Sequence, residues 1–418
     1  MRGGHLAVFC VLQHLVAFVY GYNVGLFMGS ESMEWHSLRH AVDQWNNENA
    51  VRSELSLDVV TPAESSQLIE SKVCDLIQNN IVAVFVPLSI ADNELQMVYS
   101  MCHHFHVPCV TVHGRDFFES RGNEYVTSVA ASYGSTALAS LELVVNLRWR
   151  SFVLIYQFDY DVSEIVDLLA VWSRERAIPP IARVQKLPEA TSDFQPFLKY
   201  IREVLRETNI IIHTNEIGLV HRILSQASGM NMTEAKYSYV VTNTDLSLLE
   251  DFLQSMHQIY HCNITGLQLV KSDPLVKTEL ALTADAINLI GAALTSYKKH
   301  SDPVEPSALL CDAHDTWNDG QRLNTAIRSM SVMNGLTGHI QTDSHGRRLE
   351  TMFDGIGRIN GKFVKTFLKT QLVRSLCVLL FREASESNVF IRFANVVLLF
   401  RKGELVAAKD LEMISVMS

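Results

Sequence analysis

The sequence predicts an α/β protein of two lobes, each a doubly wound, mostly parallel sheet flanked by helices. Three observations lead there. First, short apolar runs of strand length recur at Ile81–Val86, Phe152–Tyr156 and Ile210–His213. A parallel strand is covered by helices on both faces, so it reads as a near-continuous apolar run. Second, stretches with helical spacing stand between these runs and give a β-α alternation. Third, 418 residues with 48% hydrophobic content exceed what one core usually holds, so two packed units are expected. Phe152–Tyr156 opens the second lobe and is followed by the polar turn Gln157–Asp161.

Residues 1–21 have the pattern of a secretory signal peptide. Arg2 supplies the positive end, Leu6–Tyr20 is apolar apart from Gln13 and His14, and Ala17 and Gly21 are small residues near a cleavage point. The alternative is a buried N-terminal element. Secretion would place the chain in an oxidising compartment, where disulfides persist. Cys10 would leave with the signal; Cys74, Cys102, Cys109, Cys262, Cys311 and Cys377 would remain, and their spacing leaves the pairing open. Two N-glycosylation sequons, at Asn231 and Asn263, agree with that route. The net charge of −10 argues against nucleic acid or a polybasic membrane contact, which need clustered Lys and Arg.

Lobe 1 begins at residue 22. Tyr22–Met28 is its first strand. Trp35, Leu38, Val42 and Trp45 share one face of a helix over Glu34–Asn47. Strand Leu55–Val60, helix Ser65–Leu76, strand Ile81–Val86, helix Ala91–Phe105 and strand Val107–Val112 follow. Residues 127–135 cross to lobe 2, so that 22–133 is the first part of lobe 1. Lobe 2 starts with helix Thr136–Leu147. It continues with strands Phe152–Tyr156, Ala182–Lys186, Ile210–His213 and Tyr237–Val241. Its other helices are Ser163–Arg174, Phe194–Glu207, Glu216–Ser228 and Leu246–Met256. Residues 134–263 make its first part. Residues 264–330 return to lobe 1 with the long helix Leu280–Tyr297, 331–365 return to lobe 2, and 366–418 form a divergent tail. In the tail neither apolar run reaches the ~18 uninterrupted residues of a membrane span, so no span is expected.

Several stretches, in this order, resemble the amino-terminal domain of kainate-type ionotropic glutamate receptors. They are Lys72–Ile77, Val84–Pro87, His106–Pro108, Lys186–Pro188, Asn263–Val270, Asp285–Ile287 and, most specific, Asn334–Ile340 with its Gly-Leu-Thr-Gly segment. The likeness covers roughly residues 22–350 and fades after Arg358. It implies a two-lobed clamshell of the type I periplasmic-binding-protein kind with a three-segment hinge. It also implies a disulfide between Cys74 and Cys311. That bond would close a loop of about 240 residues and, in the chain-entropy model, remove about 5 kcal/mol of unfolded-state freedom. The resemblance further implies dimerisation through the second and third helices of lobe 1. On the third helix, Leu95, Val98, Met101, Cys102 and Phe105 should face the sheet. Asn93, Gln96, Met97, Ser100 and His104 should face outward, as an interface or as an ordinary solvated face.

A clamshell also invites a small ligand at the strand ends, where the candidates are Ser89, His113, Tyr160 and Asn215. The histidines and cysteines of Met101–His113 fit no standard zinc spacing, so no metal and no cofactor is expected. Phosphate-loop, nucleophile-elbow and zincin motifs are missing, so the chain is not read as an enzyme. The leading expectation is an extracellular module, free or part of a plasma-membrane receptor. It would form homo- or hetero-dimers with other glutamate receptor subunits and carry no pore of its own. The alternatives are an amino-acid-sensing clamshell and a pore-less secreted decoy.

Overall fold

The computed structural model describes residues 20–28, 32–66, 68–114, 123–157, 165, 169–170, 181–188, 191–254, 260–270, 275–300, 303–312 and 316–367, with strand segments at 389–393, 396–401 and 404–410. The chain divides into two compact units: Met1–Ser132 with Val276–Leu349, and Tyr133–Leu275 with Glu350–Ser418. It therefore passes from one unit to the other three times.

Unit 1 is built on five strands: β1 (Tyr20–Leu26), β2 (Leu55–Val60), β3 (Ile81–Val86), β4 (Cys109–Thr111) and β5 (Val126–Ser128). Their order is β2-β1-β3-β4-β5, and every neighbouring pair is parallel. The reversal of strand order at β1 makes the sheet doubly wound, because right-handed crossovers then put helices on both faces. All six residues of β3 are buried. Helix α1 (Met33–Ser53) buries Leu38, Ala41, Val42 and Trp45, one helical face. It packs against α7 (Thr278–His300), while α2 (Ile69–Ile77) packs against α3 (Asp92–Phe105). Among the described residues α7 is the helix long and apolar enough to cross a membrane, yet Ala281, Ala286, Ile287, Leu289, Ile290 and Ala293 are fully buried in this unit. Helix α8 (Gly320–Ser329) and the hairpin β11 (Ser331–Gly335) and β12 (Gly338–Gln341) complete the unit. The β5 side of the sheet is covered: Arg328 donates to the Val126 carbonyl at 2.8 Å, and Ser128 N–H donates to the Gly346 carbonyl at 2.8 Å. Capping a sheet edge in this way removes a site of unwanted strand pairing.

Unit 2 has seven strands in the order β14-β13-β10-β9-β8-β6-β7. The strands are β6 (Ser151–Tyr156), β7 (Ile181–Lys186), β8 (Asn209–His213), β9 (Ser238–Val241), β10 (Asn263–Gln268), β13 (Asp354–Ile359) and β14 (Lys362–Phe367). The five from β10 to β7 are parallel; β13 and β14 add an antiparallel hairpin on β10. Helix α4 (Tyr133–Asn146) lies on β9 and β10. Val153, Ile155, Ile210 and Ile212 pack with Leu198 of α5 (Gln195–Tyr200) and with Leu219, Ile223 and Leu224 of α6 (Ile217–Gly229). The tail segments β15 (Val389–Phe393), β16 (Val396–Arg401) and β17 (Glu404–Asp410) pair antiparallel.

Some expected boundaries are corrected. The sequence places the stretch from Ile264 in lobe 1, but β10 pairs with β9 in unit 2, and the return to unit 1 comes at Val276. Likewise residues 331–349, expected in lobe 2, belong to unit 1, where β11 meets α7. The expected helix Leu246–Met256 is two short 3-10 turns, Leu246–Leu249 and Phe252–Gln254, among the described residues. Leu246, Leu249 and Leu253 are buried, and that spacing serves such turns as well as an α-helix. Phe194–Glu207 is α-helical only to Tyr200 and continues as a π turn to Leu205. Helix α2 starts at Ile69 rather than Ser65. The expected signal peptide lies outside the described residues except for Tyr20 and Gly21, which begin β1; helix Ser163–Arg174 lies mostly outside them.

Candidate functional site

Helix α3 carries the candidate assembly face. It ends where His106 turns left-handed, at φ 58°. Val107 N–H donates to the Cys102 carbonyl at 2.9 Å and His106 N–H to the His103 carbonyl at 3.2 Å, so the last carbonyls are capped. Leu95, Val98, Cys102 and Phe105 are buried against the sheet. Met101, expected with them, is only half-buried. On the other side Met97 is 38% exposed, Ser100 and His104 are exposed, and Gln96 is half-buried. Asn93 lies on the same helix, and its side chain is outside the described residues. Cys74 on the neighbouring α2 is joined to Cys311 by a disulfide, with Cα atoms 5.6 Å apart. Leu309 N–H donates to the Ile77 carbonyl at 3.0 Å, so the 309–311 segment runs against the end of α2. Two large apolar side chains border these elements in the open: Leu68 at 72% exposure and Leu310 at 61%.

The strand-end candidates fall in separate surroundings. In unit 1, Ser89 follows β3, is exposed and hydrogen-bonds the Glu34 carboxylate. Burial alone would raise Glu34, but Ser89, its own N–H, Ser32 and the Lys277 charge hold it below its ordinary value. His113 follows β4 and is buried; its Nε2 lies 2.8 Å from the Pro87 carbonyl, and its own carbonyl accepts from Ser128 Oγ at 2.7 Å. Burial pulls the imidazole below its usual value, against the Pro87 hydrogen bond and the Glu279 charge. In unit 2, Asn215 is exposed after β8. Sequence reasoning missed the buried polar groups beside it. Thr214 Oγ1 donates to Gln157 Oε1 at 3.0 Å, Asn243 Nδ2 donates to the Thr214 carbonyl at 3.1 Å, and His213 Nδ1 lies 3.0 Å from Thr242 Oγ1. Tyr160 lies outside the described residues. No group of three His, Cys, Asp or Glu among the described residues could hold a metal.

The Gly-Leu-Thr-Gly segment has a physical basis that the sequence did not disclose. It is the turn between β11 and β12, and a buried carboxylate from α7 holds it. Asp285 accepts from Leu336 N–H at 2.7 Å, Thr337 N–H at 2.9 Å and Thr337 Oγ1 at 2.5 Å. Arg348 lies behind, donating to Thr337 Oγ1 at 2.8 Å and to the carbonyls of Val129, Thr337 and His339. Burial lowers the Arg348 guanidinium to about 10 while Asp285 raises it, so it stays cationic at neutral pH. Burial pushes Asp285 up, and its hydrogen bonds and Arg348 pull it down. Gly335 has no room for a side chain: a Cβ would sit 2.7 Å from the Gly338 carbonyl and 2.8 Å from Asp285 Oδ1. Gly338, at φ +100°, occupies backbone space that L residues rarely adopt.

Both sequon asparagines are exposed, Asn231 in a left-handed turn after α6 and Asn263 at the start of β10. The two meet through Thr233, whose carbonyl accepts from His261 and Cys262 N–H, each at 2.8 Å.

Two doubly wound units linked by three chain passages, with the parallel strands of each running into polar ends, define the class of two-lobed, periplasmic-binding-protein-like receptor domains. The chain belongs to the family described as the receptor family ligand binding region, whose model matches residues 34–358. That is a family of receptor domains rather than of enzymes. The chain is also 22% identical over 297 residues to the human protein named glutamate receptor ionotropic, kainate 1, and equally to its counterpart from Macaca fascicularis. The match covers 64% of this chain and 31% of each relative, so the chain spans about a third of the length of these relatives.

Proposed function

We propose that this chain is the extracellular amino-terminal domain of a kainate-type glutamate receptor subunit and that it acts by pairing with a second subunit. The observation carrying this reading is the outer surface of α2 and α3. Met97 stands exposed among Gln96, Ser100 and His104, Leu68 stands exposed just before α2, and Leu310 stands exposed on the segment tethered to α2 by the disulfide. Exposed Met and Leu side chains set among polar groups suit an interface core. The partner is a like domain, the same chain or a related subunit, and the exposed sequons at Asn231 and Asn263 suit a secretory route. The strand-end groups favour assembly over amino-acid sensing, since His113, Thr214 and Asn243 are already engaged by the chain's own backbone and side chains. Sedimentation of the purified protein across a concentration series tests the reading. A monomer–dimer equilibrium is expected. A strict monomer at the highest concentration, combined with heat released on titrating amino acids, would replace assembly with sensing.

A further inference from the structure

Beyond the Cys74–Cys311 bond, the described residues hold three free, buried cysteines, Cys102, Cys109 and Cys262. Two of them meet. Cys102 is on the last turn of α3, 1% exposed, and Cys109 opens β4, fully buried. The left-handed residue His106 reverses the chain at the end of the helix, Val107 N–H bonds back to the Cys102 carbonyl, and Pro108 leads directly into the strand. This tight return brings the Cys109 thiol into a side-chain hydrogen bond with Cys102. Burial, and then Cys102 beside it, push the Cys109 thiol well above its ordinary value, so in the folded chain it stays protonated and inert toward oxidants.

We propose that Cys102 and Cys109 close to a second disulfide of unit 1 as the chain folds, tying the end of α3 to strand β4 of its sheet. The inference rests on the secretory reading given above, because a thiol pair oxidises and stays oxidised only where the compartment is oxidising. The oxidant is a disulfide, either a small-molecule disulfide or that of a folding oxidoreductase. One cysteine thiolate attacks it, forming a mixed disulfide and expelling one thiol. The second cysteine, giving up its proton, attacks the mixed disulfide and expels the other thiol. The cysteines lose two protons and two electrons, and the oxidant is reduced to two thiols. The exchange precedes the docking of α3 on β4, since afterwards neither sulfur is open to a reagent. Once made, the bond is shielded from reductants by the same burial. It would fix the helix whose outer face carries Gln96, Met97, Ser100 and His104.

The test uses the full chain secreted from eukaryotic cells, denatured in the presence of N-ethylmaleimide without reduction and digested with chymotrypsin. Cleavage after Tyr99 and Phe105 puts the two cysteines on different peptides. The expected result in mass spectrometry is the Ser100–Phe105 peptide joined to the peptide beginning at His106, two hydrogens lighter than the sum of the two free-thiol peptides. Maleimide on both peptides, with Cys74 still linked to Cys311, would overturn the proposal and leave the secretory reading intact. Maleimide on all four cysteines would overturn both. A link from Cys102 or Cys109 to any other cysteine would also overturn it.

Discussion

Asp285 and Asp343 both hold turns of unit 1, and their surroundings act on them in opposite directions. Asp285 is fully buried under three donors and faces Arg348. Replacing it with Ala leaves two N–H groups and a buried guanidinium without their acceptor and counter-charge. Leaving a buried donor without its acceptor costs about 1–3 kcal/mol, and three donors lose theirs here. For a unit of this size Asp285→Ala should lower the thermal midpoint on the order of 10 °C in calorimetry. An unchanged midpoint would mean that the turn is held by Gly335, Gly338 and Arg348 alone. Asp343 is more open. It accepts from His345 N–H, Arg347 N–H and Arg347 Nε, each at 2.9 Å. Burial would raise it, but these bonds and the Arg347 charge win and hold it below the ordinary carboxylate range. A depressed carboxylate stabilises the fold above its unfolded value, about 3.9, and the contribution is lost as pH falls through the lower folded value. Asp343→Asn should therefore cost about 1 kcal/mol in urea unfolding at pH 7. The gap between the two proteins should close in strong acid; a gap independent of pH would show that charge plays no part.

At the scale of elements, α3 lets stability be tested apart from the proposed assembly. Leu95 is wholly buried, whereas Met97, two positions on, is 38% exposed. Leu95→Ala should cost about 2–5 kcal/mol of stability, by lost transfer energy and an unfilled cavity. Met97→Glu should change unfolding by less than about 0.5 kcal/mol, as surface changes do. Yet in sedimentation it should weaken or abolish the dimer, because it desolvates a charge in the contact. Dimerisation unaffected by Met97→Glu would move the interface off this face. This two-sidedness was legible in sequence because Leu95, Val98, Cys102 and Phe105 recur at helical spacing. Strand β3 was legible for a related reason: Ile-Val-Ala-Val-Phe-Val suits only a strand buried on both faces. Helix α8 was not, since Leu323 and Ile327 are its large apolar anchors among Gln, Arg, Asn and Thr. The sheet to which β10 belongs was not legible either. Asn263–Gln268 reads as a strand wherever it pairs, and only its register against Ser238–Val241 and Asp354–Gly357 places it. Nor could spacing show that Asp285 reaches the turn at Leu336 and Thr337, some fifty residues further along the chain.

At the scale of the whole molecule, each unit is assembled from separated segments, and this sets what truncation can do. Unit 1 takes its last segment from Val276–Leu349, whereas unit 2 still needs chain beyond that point. Strand β13 pairs with β10 at four positions, buries Asp354–Gly357, and through Arg358 donates to the carbonyls of Leu253 at 2.9 Å and Tyr260 at 3.1 Å. Cutting after Leu349 would strip β10 of one neighbour and open an apolar sheet face to water. Cutting after Phe367 would leave all seven strands in place. Hydrogen exchange on the two truncated proteins should read this directly. The longer one should keep full protection over β8, β9 and β10. The shorter one should lose most of that protection while Ile81–Val86 of β3 stays protected, because every strand of the unit 1 sheet and all of α7 and α8 are still present. If β3 lost protection together with β10, the two units would be one cooperative structure and the three passages of the chain would couple their stabilities. If β10 kept its protection, the five parallel strands with α4, α5 and α6 would suffice for unit 2, and the antiparallel hairpin would be an addition to a core already complete.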